Sequence, residues 1–486
     1  MACGPGICET FMELIFTLAN YCSGLARESG PVNTSFFGEL LQSIAERGRA
    51  LLDRTRDRRG TAEQHSAGLV ELCEELLSGR GEASGVALAR EIFTRYGEVT
   101  RGPRIAFFEA LATRFGPDQA RLDRAVEVWR QNHTDATAAE LHAAAEPRRQ
   151  ELLRRLNLAP GGTAALVHMR EQLLDAMDHR EDLAVVDRDF VHMFSSWFNR
   201  GFLVLRRIDW SSPANVLEKI IRYEAVHRIR GWEDLRRRID PPDRRCYAFF
   251  HPALIDEPLI FVEVALTREL PSAIAPILTV QRDLIGPDKA STAVFYSISN
   301  CQRGLTGVSF GHFLIKQVVE EIARENARLS QFVTLSPAPG FAEWLRRERT
   351  SESSHVLTAE DRAALANLDI PGWWQTPKTR EPVREPLLRA GAWYFLHART
   401  NTGYPVDSVA RFHLGNGARL QRLNWLGDGS ERAIEQAHGL MVNYLYVLDD
   451  IEKNHEAYAQ QRVVVASNAV TKLARAAPRE VVSASG

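Results

Sequence analysis

Residues 291–344 decide the fold of the second half of the chain and read STAVFYSISNCQRGLTGVSFGHFLIKQVVEEIARENARLSQFVTLSPAPGFAEW. The β-branched and aromatic run at 293–299 predicts a strand. A glycine-bearing turn follows it, and residues 313–323 then repeat apolar side chains at helical spacing. Residues 332–335 predict a second, short strand that ends at a Ser-Pro pair. The stretch therefore predicts one β-α-β unit.

The glycine-bearing turn lies directly before the predicted helix. Free backbone N–H groups at a helix start, together with the helix dipole, favour an anion there. We interpret the turn as a phosphate cradle formed by Thr306, Gly307, Val308, Ser309, Phe310, Gly311 and His312. The letters GLTGVSFG fit neither GxGxxG nor the Walker pattern, so a plain turn stays an alternative at this point. Ser336, after the second strand, is a candidate for chemistry, although Ser-Pro is also an ordinary turn.

The composition of the chain argues against several classes of protein. Its 486 residues predict two or more domains, and 45% hydrophobic with 25% charged residues is ordinary for a globular protein. A net charge of −2 argues against broad electrostatic binding to nucleic acid. The six cysteines form no CxxC pair, so they predict buried thiols rather than a disulfide framework or a zinc site.

The sequence also carries an expectation about location. No apolar run approaches the roughly 20 residues that span a bilayer, so we expect no membrane partner. The first residues lack the pattern of a secretory signal and the arginine-rich, acid-poor pattern of a mitochondrial leader. These features predict a cytoplasmic location.

The character of the chain changes near residue 200. Residues 9–199 read as helix after helix, rich in Ala, Leu, Glu and Arg, with no motif that indicates chemistry. A helix is predicted at 385–397, and strand-type runs lie at 202–208, 245–251, 259–267, 406–414 and 418–425, the last two joined by a Gly-Asn-Gly hairpin. We predict a multidomain α and α+β fold: a helical-bundle domain at 1–199, then a catalytic domain at 200–486 around a mixed twisted sheet.

Seven segments of the second half together resemble the malonyl-CoA decarboxylase family and occur in the family's order. They are SSPANVLEKIIRYEAVHRIRGWEDLRRRI (211–239), RRCYAFFHP (244–252), EPLIFVEVALT (257–267), AVFYSISNCQRGLTGVSFGHFLIKQVV (293–319), LSPAPGFAEWL (335–345), RFHLGNGARLQRLNWLGD (411–428) and GLMVNYLY (439–446). The resemblance covers about residues 185–450 closely. The helical N-terminal half matches in character and length more than in individual residues.

The resemblance implies both a fold and an activity. The catalytic domain would be similar to the N-acetyltransferase fold of histone acetyltransferases, whose glycine turn and helix start hold the CoA pyrophosphate. The helical domain would form homo-oligomers, dimers or tetramers. The implied activity is decarboxylation of malonyl-CoA to acetyl-CoA and carbon dioxide, a step of fatty acid metabolism.

The resemblance also implies the residues of the active site. The family's catalytic serine falls on Ser336, its catalytic histidine on His413 and an active-site tyrosine on Tyr446. We expect His413 in a strand before the Gly-Asn-Gly hairpin and Tyr446 in an aromatic helix. At Ser309 some family members carry a glutamate, so no role of that carboxylate is transferred.

Decarboxylation of malonyl-CoA sends electrons into the thioester carbonyl, which is itself the electron sink. We therefore expect no cofactor: no metal, biotin or pyridoxal. The reaction needs positioned donors for the developing oxyanion and a proton donor for the α-carbon. Other functions stay open: a CoA thioesterase or acyltransferase that uses the same Ser/His pair, or an inactive CoA-binding scaffold. No GxSxG elbow surrounds Ser336, which disfavours a nucleophilic serine.

Overall fold

The computed structural model describes residues 62–78, 81–178, 180–308, 310, 314–351 and 354–475. The first eight α-helices of these described residues are α1 (Ala62–Leu77), α2 (Glu82–Glu98), α3 (Arg101–Arg114), α4 (Gln119–Gln131), α5 (Asp135–Ala145), α6 (Arg148–Asn157), α7 (Gly162–Ala176) and α8 (Ala184–Trp197). Helix α1 buries Leu69, Leu72, Cys73 and Leu76, which share one face at a spacing of three and four residues. The predicted all-helical N-terminal region is confirmed over its described residues; 9–61 lie outside them.

The described chain forms two compact units. One comprises residues 62–107 and 154–162, and the other comprises 108–153 and 163–475. The predicted domain boundary between residues 199 and 200 stays a prediction.

The second half of the chain supplies all the strands of the described residues. They are β1 (Val204–Ile208), β2 (Arg244–Phe250), β3 (Pro258–Thr267), β4 (Thr292–Asn300), β5 (Gln331–Thr334), β6 (Ser336–Pro337), β7 (Arg419–Asn424) and β8 (Met441–Tyr446). The helices are α9 (Ala214–Tyr223), α10 (Trp232–Ile239), α11 (Ala275–Leu278), α12 (Leu314–Glu325), α13 (Phe341–Thr350), α14 (Ala359–Leu365), α15 (Pro377–His397), α16 (Ser408–Gly415), α17 (Glu431–Ala437), α18 (Ile451–Gln461) and α19 (Asn468–Arg475).

The eight strands form one mixed sheet in the order β1-β2-β3-β4-β5-β8-β6, with β7 also paired to β8. All pairs are antiparallel except β4 with β5, which the α12 crossover makes parallel. One apolar cluster of the sheet packs against α9 and α10; a second contains Val294, Tyr296 and Val333. The β-α-β unit and the predicted fold class, a helical region followed by a mixed sheet, are confirmed.

Strands β4 and β5 pair over only four residues. Their register ends at Phe295 and Thr334, while β4 continues to Asn300. The chain leaves β5 at this point, and Ser336 pairs instead with Val442 of β8. The site candidate Ser336 therefore lies where two parallel strands separate, which opens the sheet next to it.

The predicted strand at 406–414 and its hairpin are wrong, because residues 408–415 form helix α16. The Asp407 carboxylate accepts a hydrogen bond from the Ala410 N–H at 2.8 Å and caps the helix start. Ala410, His413 and Leu414 are buried on one helical face. Gly417, with φ of +82°, then turns the chain into β7, which confirms the return strand of the prediction.

Two further sequence interpretations change in the structure. Tyr446 ends strand β8 rather than lying in a helix. The predicted helix 385–397 starts earlier, at Pro377, and contains Pro382 and Pro386. Proline at the first helical position needs no N–H donor there, which explains the early start.

The cysteines and the membrane expectation can be compared with the described part of the chain. Cys73, Cys246 and Cys301 are free and buried, as predicted, and Cys3, Cys8 and Cys22 lie outside the described residues. Among the helices that the structure describes, none is both long and apolar enough to cross a bilayer.

Candidate active site

Ser336 is held at the point where the sheet opens. Its backbone pairs with Val442 of β8, and its side chain is buried, with the residue 5% exposed. The Ser336 hydroxyl donates to Thr334 Oγ1 at 2.9 Å and lies 3.1 Å from His413 Nε2. Ser336 and His413, 77 residues apart in sequence, thus lie within hydrogen-bond distance of each other.

The ring of His413 is enclosed on several sides. It is 2% exposed, and the Tyr444 ring stacks on it with centroids 4.7 Å apart and an interplanar angle of 26°. Burial lowers the pKa of His413 to about 3, because the charged form loses its hydration. The resting imidazole is therefore neutral.

The second ring nitrogen, Nδ1, lies 2.9 Å from the Tyr446 hydroxyl. Burial raises the pKa of Tyr446 well above its ordinary value, so this hydroxyl keeps its proton. Within the described residues, the Tyr446 hydroxyl has one hydrogen-bond partner, His413 Nδ1. The buried O–H therefore donates to Nδ1. The neutral ring then carries its proton on Nε2, directed at Ser336 Oγ.

Three residues that the sequence prediction missed support the pair. Thr334 Oγ1, which accepts from Ser336, also accepts from the Tyr444 N–H at 3.2 Å. Asn443 Nδ2 donates to the Thr334 carbonyl at 2.8 Å, and Arg422 Nε donates to Asn443 Oδ1 at 3.0 Å. The available signal was the strand period of two, which puts Thr334 and Ser336 on one face.

Of the predicted phosphate cradle, Thr306, Gly307, Val308 and Phe310 are described, whereas Ser309, Gly311 and His312 lie outside the described residues. Gly307 has φ of +79°, which favours glycine. The N–H groups of Thr306 and Val308 donate within the turn, to the carbonyls of Arg303 and Leu305, each at 3.0 Å. A phosphate would therefore use other N–H groups of the cradle.

Comparison with known proteins agrees with this fold. The family profile "Malonyl-CoA decarboxylase C-terminal domain" matches residues 201–484, and the corresponding N-terminal profile matches 115–198. The mitochondrial malonyl-CoA decarboxylase of Anser anser anser is 36% identical over 418 residues, which cover 78% of this chain and 81% of the goose protein.

Solved structures give the same result. The malonyl-CoA decarboxylase of Rhodopseudomonas palustris aligns with a TM-score of 0.82 and 58% identity over 84% of this chain and 99% of that chain. The Cupriavidus metallidurans enzyme aligns with a TM-score of 0.68 and 35% identity over 84% of this chain and 100% of that chain. These relatives identify the protein as an enzyme of the carboxy-lyase class. The chain belongs to the malonyl-CoA decarboxylase family.

Proposed function

We propose that this protein decarboxylates malonyl-CoA to acetyl-CoA and carbon dioxide, with Ser336, His413 and Tyr446 in the active site. The observation that carries the proposal is the buried chain of hydrogen bonds from Ser336 through His413 to Tyr446. Such a chain can place one hydroxyl and one proton-bearing nitrogen beside a thioester. The relatives named above supply the substrate class.

The reaction consumes one proton, and the histidine supplies it. The bond from the α-carbon to the carboxylate breaks, its electron pair enters the thioester carbonyl and carbon dioxide leaves. A malonyl carboxylate beside the buried ring raises the pKa of His413, because opposite charges favour ionisation, so the ring takes up a proton from solvent. The proton taken up enters at Nδ1, with the Tyr446 hydroxyl turned to accept from it, and the ring gives its Nε2 proton to the α-carbon of the enolate. The neutral ring that is left carries its proton on Nδ1, and transfer of that proton back to Nε2 restores the resting tautomer. Ser336 donates a hydrogen bond to the malonyl group.

A thioesterase or acyltransferase that uses the same pair is the second candidate. Both need Ser336 as nucleophile, and Nε2 of His413 must then accept the serine proton. In the resting state Nε2 already carries a proton, because the Tyr446 O–H occupies Nδ1. This tautomer favours decarboxylation over the acyl-enzyme routes.

One experiment separates the candidates. Purified protein is mixed with malonyl-CoA, with and without an amine acceptor, and the products are separated by chromatography. Acetyl-CoA with carbon dioxide supports decarboxylation. Free CoA with malonate identifies a hydrolase, an acylated amine identifies a transferase, and CoA binding without turnover identifies a scaffold.

Tyr446→Phe should lower turnover by roughly 10- to 100-fold, the range seen when a group that orients a ligating or reacting histidine is lost. Without the hydroxyl, Nδ1 takes the proton in part of the molecules and the productive Nε2–H form is depleted. The measurement is kcat and its pH profile, with KM expected to stay close to wild type. Tyr444→Phe is the matched variant: it keeps the stacked ring and removes a hydroxyl with no hydrogen-bond partner in the described chain. Equal losses in both variants would contradict the tautomer assignment.

We further propose that the turn at Gly307 holds the CoA phosphates through backbone N–H groups at the start of α12. Gly307→Val should weaken CoA binding, because φ of +79° is strained for a β-branched residue and the turn must shift. Calorimetric titration with CoA measures the effect. Gly97→Val, at a helical glycine whose added Cβ meets nothing within 4 Å, is the control. Equal CoA affinity in wild type and Gly307→Val would move the phosphate site elsewhere.

The thioester is an adequate electron sink, so we propose catalysis without metal, biotin or pyridoxal. We also propose homo-oligomers, dimers or tetramers, formed by the helical region, which light scattering at micromolar concentration tests. The cytoplasmic location stays a prediction, and the named goose relative is mitochondrial.

A further inference from the structure

A buried arginine of helix α7 holds the chain just before the proposed phosphate cradle. Arg170 is 2% exposed. Its Nε donates to Asp187 Oδ1 of α8 at 2.8 Å, and its Nη1 donates to the Gly304 carbonyl at 2.7 Å. One guanidinium therefore links two helices to a turn that lies 134 residues further along the chain.

The turn also touches α7 directly, through its backbone. A Cβ added at Gly304 would lie 2.0 Å from the Val167 carbonyl oxygen and 2.9 Å from Val167 Cγ1. Only glycine allows this approach. On the exposed side, Arg303 forms an ion pair with Asp175, the third contact between this turn and α7.

The chemistry of the Arg170 contact indicates positioning rather than stability alone. Burying a guanidinium costs desolvation free energy unless its N–H groups find hydrogen-bond partners. A single carboxylate cannot accept from all five N–H groups of an arginine. Here a second donor goes to a carbonyl of a loop, so the arginine determines where that loop lies. Gly304 is three residues from Gly307, and hydrogen bonds from Thr306 to Arg303 and from Val308 to Leu305 make the connection stiff. A shift at Gly304 therefore reaches the cradle.

We propose that Arg170 is a positioning residue for the phosphates of CoA. Helices α7 and α8 lock the turn at Gly304, and this lock sets the position of the cradle at Gly307. The proposal rests on the CoA site of the proposed function. Ser336 and His413 lie on β6 and α16, outside this set of contacts, so Arg170 acts on CoA binding and leaves the chemical step alone.

The test compares a full-length and a truncated substrate. Arg170→Lys keeps the positive charge beside Asp187 but cannot donate to Asp187 and to the Gly304 carbonyl at the same time in this geometry. We expect its KM for malonyl-CoA and its Kd for CoA to rise roughly tenfold, the scale of lost supporting contacts, with kcat preserved. The KM for malonyl-pantetheine, which lacks the nucleotide phosphates, should not change. Hydrogen exchange in residues 301–308 should speed up.

A buried pair in the same region provides the matched control. Arg149 pairs with Asp189 of α8 and donates to the Leu111 carbonyl, so its described partners are all helical. Arg149→Lys should cost similar stability without raising the Kd for CoA. Gly304→Ala displaces the turn through its backbone contact with Val167 and should repeat the effect of Arg170→Lys. If Arg170→Lys does not fold, Gly304→Ala takes its place in the test.

The outcomes distinguish a failure of the Arg170 proposal from a failure of the proposed decarboxylase function. Wild-type protein that turns over malonyl-CoA, with CoA affinity unchanged in Arg170→Lys and Gly304→Ala, overturns the positioning role alone. Loss of kcat, or equal KM increases for both substrates, also overturns it. If wild-type protein binds no CoA, the proposed function itself is wrong. The exchange rates of residues 301–308 need no activity at all, and unchanged rates in both variants count against the lock.

Discussion

His413→Asn is expected to lower the turnover of malonyl-CoA by about a hundredfold or more, the scale of a lost general acid. The imidazole is the one group in the described site that can carry a proton to the α-carbon near neutral pH. Ser336 offers only an alcohol, and burial raises the pKa of Tyr446 well above its ordinary value. Asparagine keeps a polar atom near Tyr446 but cannot take up and release the proton. Release of carbon dioxide and formation of acetyl-CoA measure the loss.

CoA binding should survive in His413→Asn, because the proposed phosphate site at Gly307 lies in another part of the chain. A suitable control is His438→Asn, since His438 is also a histidine whose burial lowers its pKa, to about 4. Its backbone has φ of +51°, a conformation that asparagine tolerates, so the fold should persist. Normal turnover in His413→Asn, or equal losses in both variants, would remove His413 from the mechanism.

The elements that could be predicted from sequence are those set by short-range patterns. The alternation at 293–299 and the helical spacing at 313–323 gave the β-α-β unit, because strand and helix periods are read within one segment. Segment 406–414 failed for a related reason. Gly-Asn-Gly is a strong hairpin signal, but Asp407 caps the helix Ser408–Gly415, which runs directly into it. Local sequence patterns do not decide which of these two signals determines the structure.

The candidate active site depends on strand pairings that no local sequence pattern contains. Strand β8 pairs with β5, β6 and β7 at once, which brings its Tyr446 close to Ser336. His413 lies on helix α16, which directly precedes β7. The resemblance supplied these three residues; periodicity did not. Asn443 escaped prediction because its contact with the Thr334 carbonyl comes from cross-strand register, which side-chain spacing within one strand leaves open.

The tautomer of His413 could be obtained only from the folded structure. Nothing in the letters FHLGNG tells which ring nitrogen meets a donor. Burial keeps the Tyr446 hydroxyl protonated, and its single partner in the described chain makes it a donor to Nδ1. The direction of one phenolic proton thus distinguishes an acid that protonates carbon from a base that activates serine.

Ser336→Ala tests that distinction most directly. We expect turnover to fall about a hundredfold, the effect of removing one positioned donor to a developing oxyanion. If Ser336 were a nucleophile, its removal would cost roughly a millionfold, as in hydrolases whose serine forms the acyl-enzyme. Single-turnover rates with malonyl-CoA resolve these two magnitudes.

The control for Ser336→Ala is another serine of the same sheet. Ser291 precedes β4 at the far end of its pairing with β5 and donates to the Arg268 carbonyl at 2.6 Å, so Ser291→Ala removes a real hydrogen bond away from the opening of the sheet. It should keep wild-type turnover. Mass spectrometry of wild-type protein quenched during turnover should show no mass added to the peptide that contains Ser336. A malonyl or acetyl adduct there, with a millionfold loss in Ser336→Ala, would make Ser336 the nucleophile and His413 its base, and the proton on Nε2 would have to leave before each turnover.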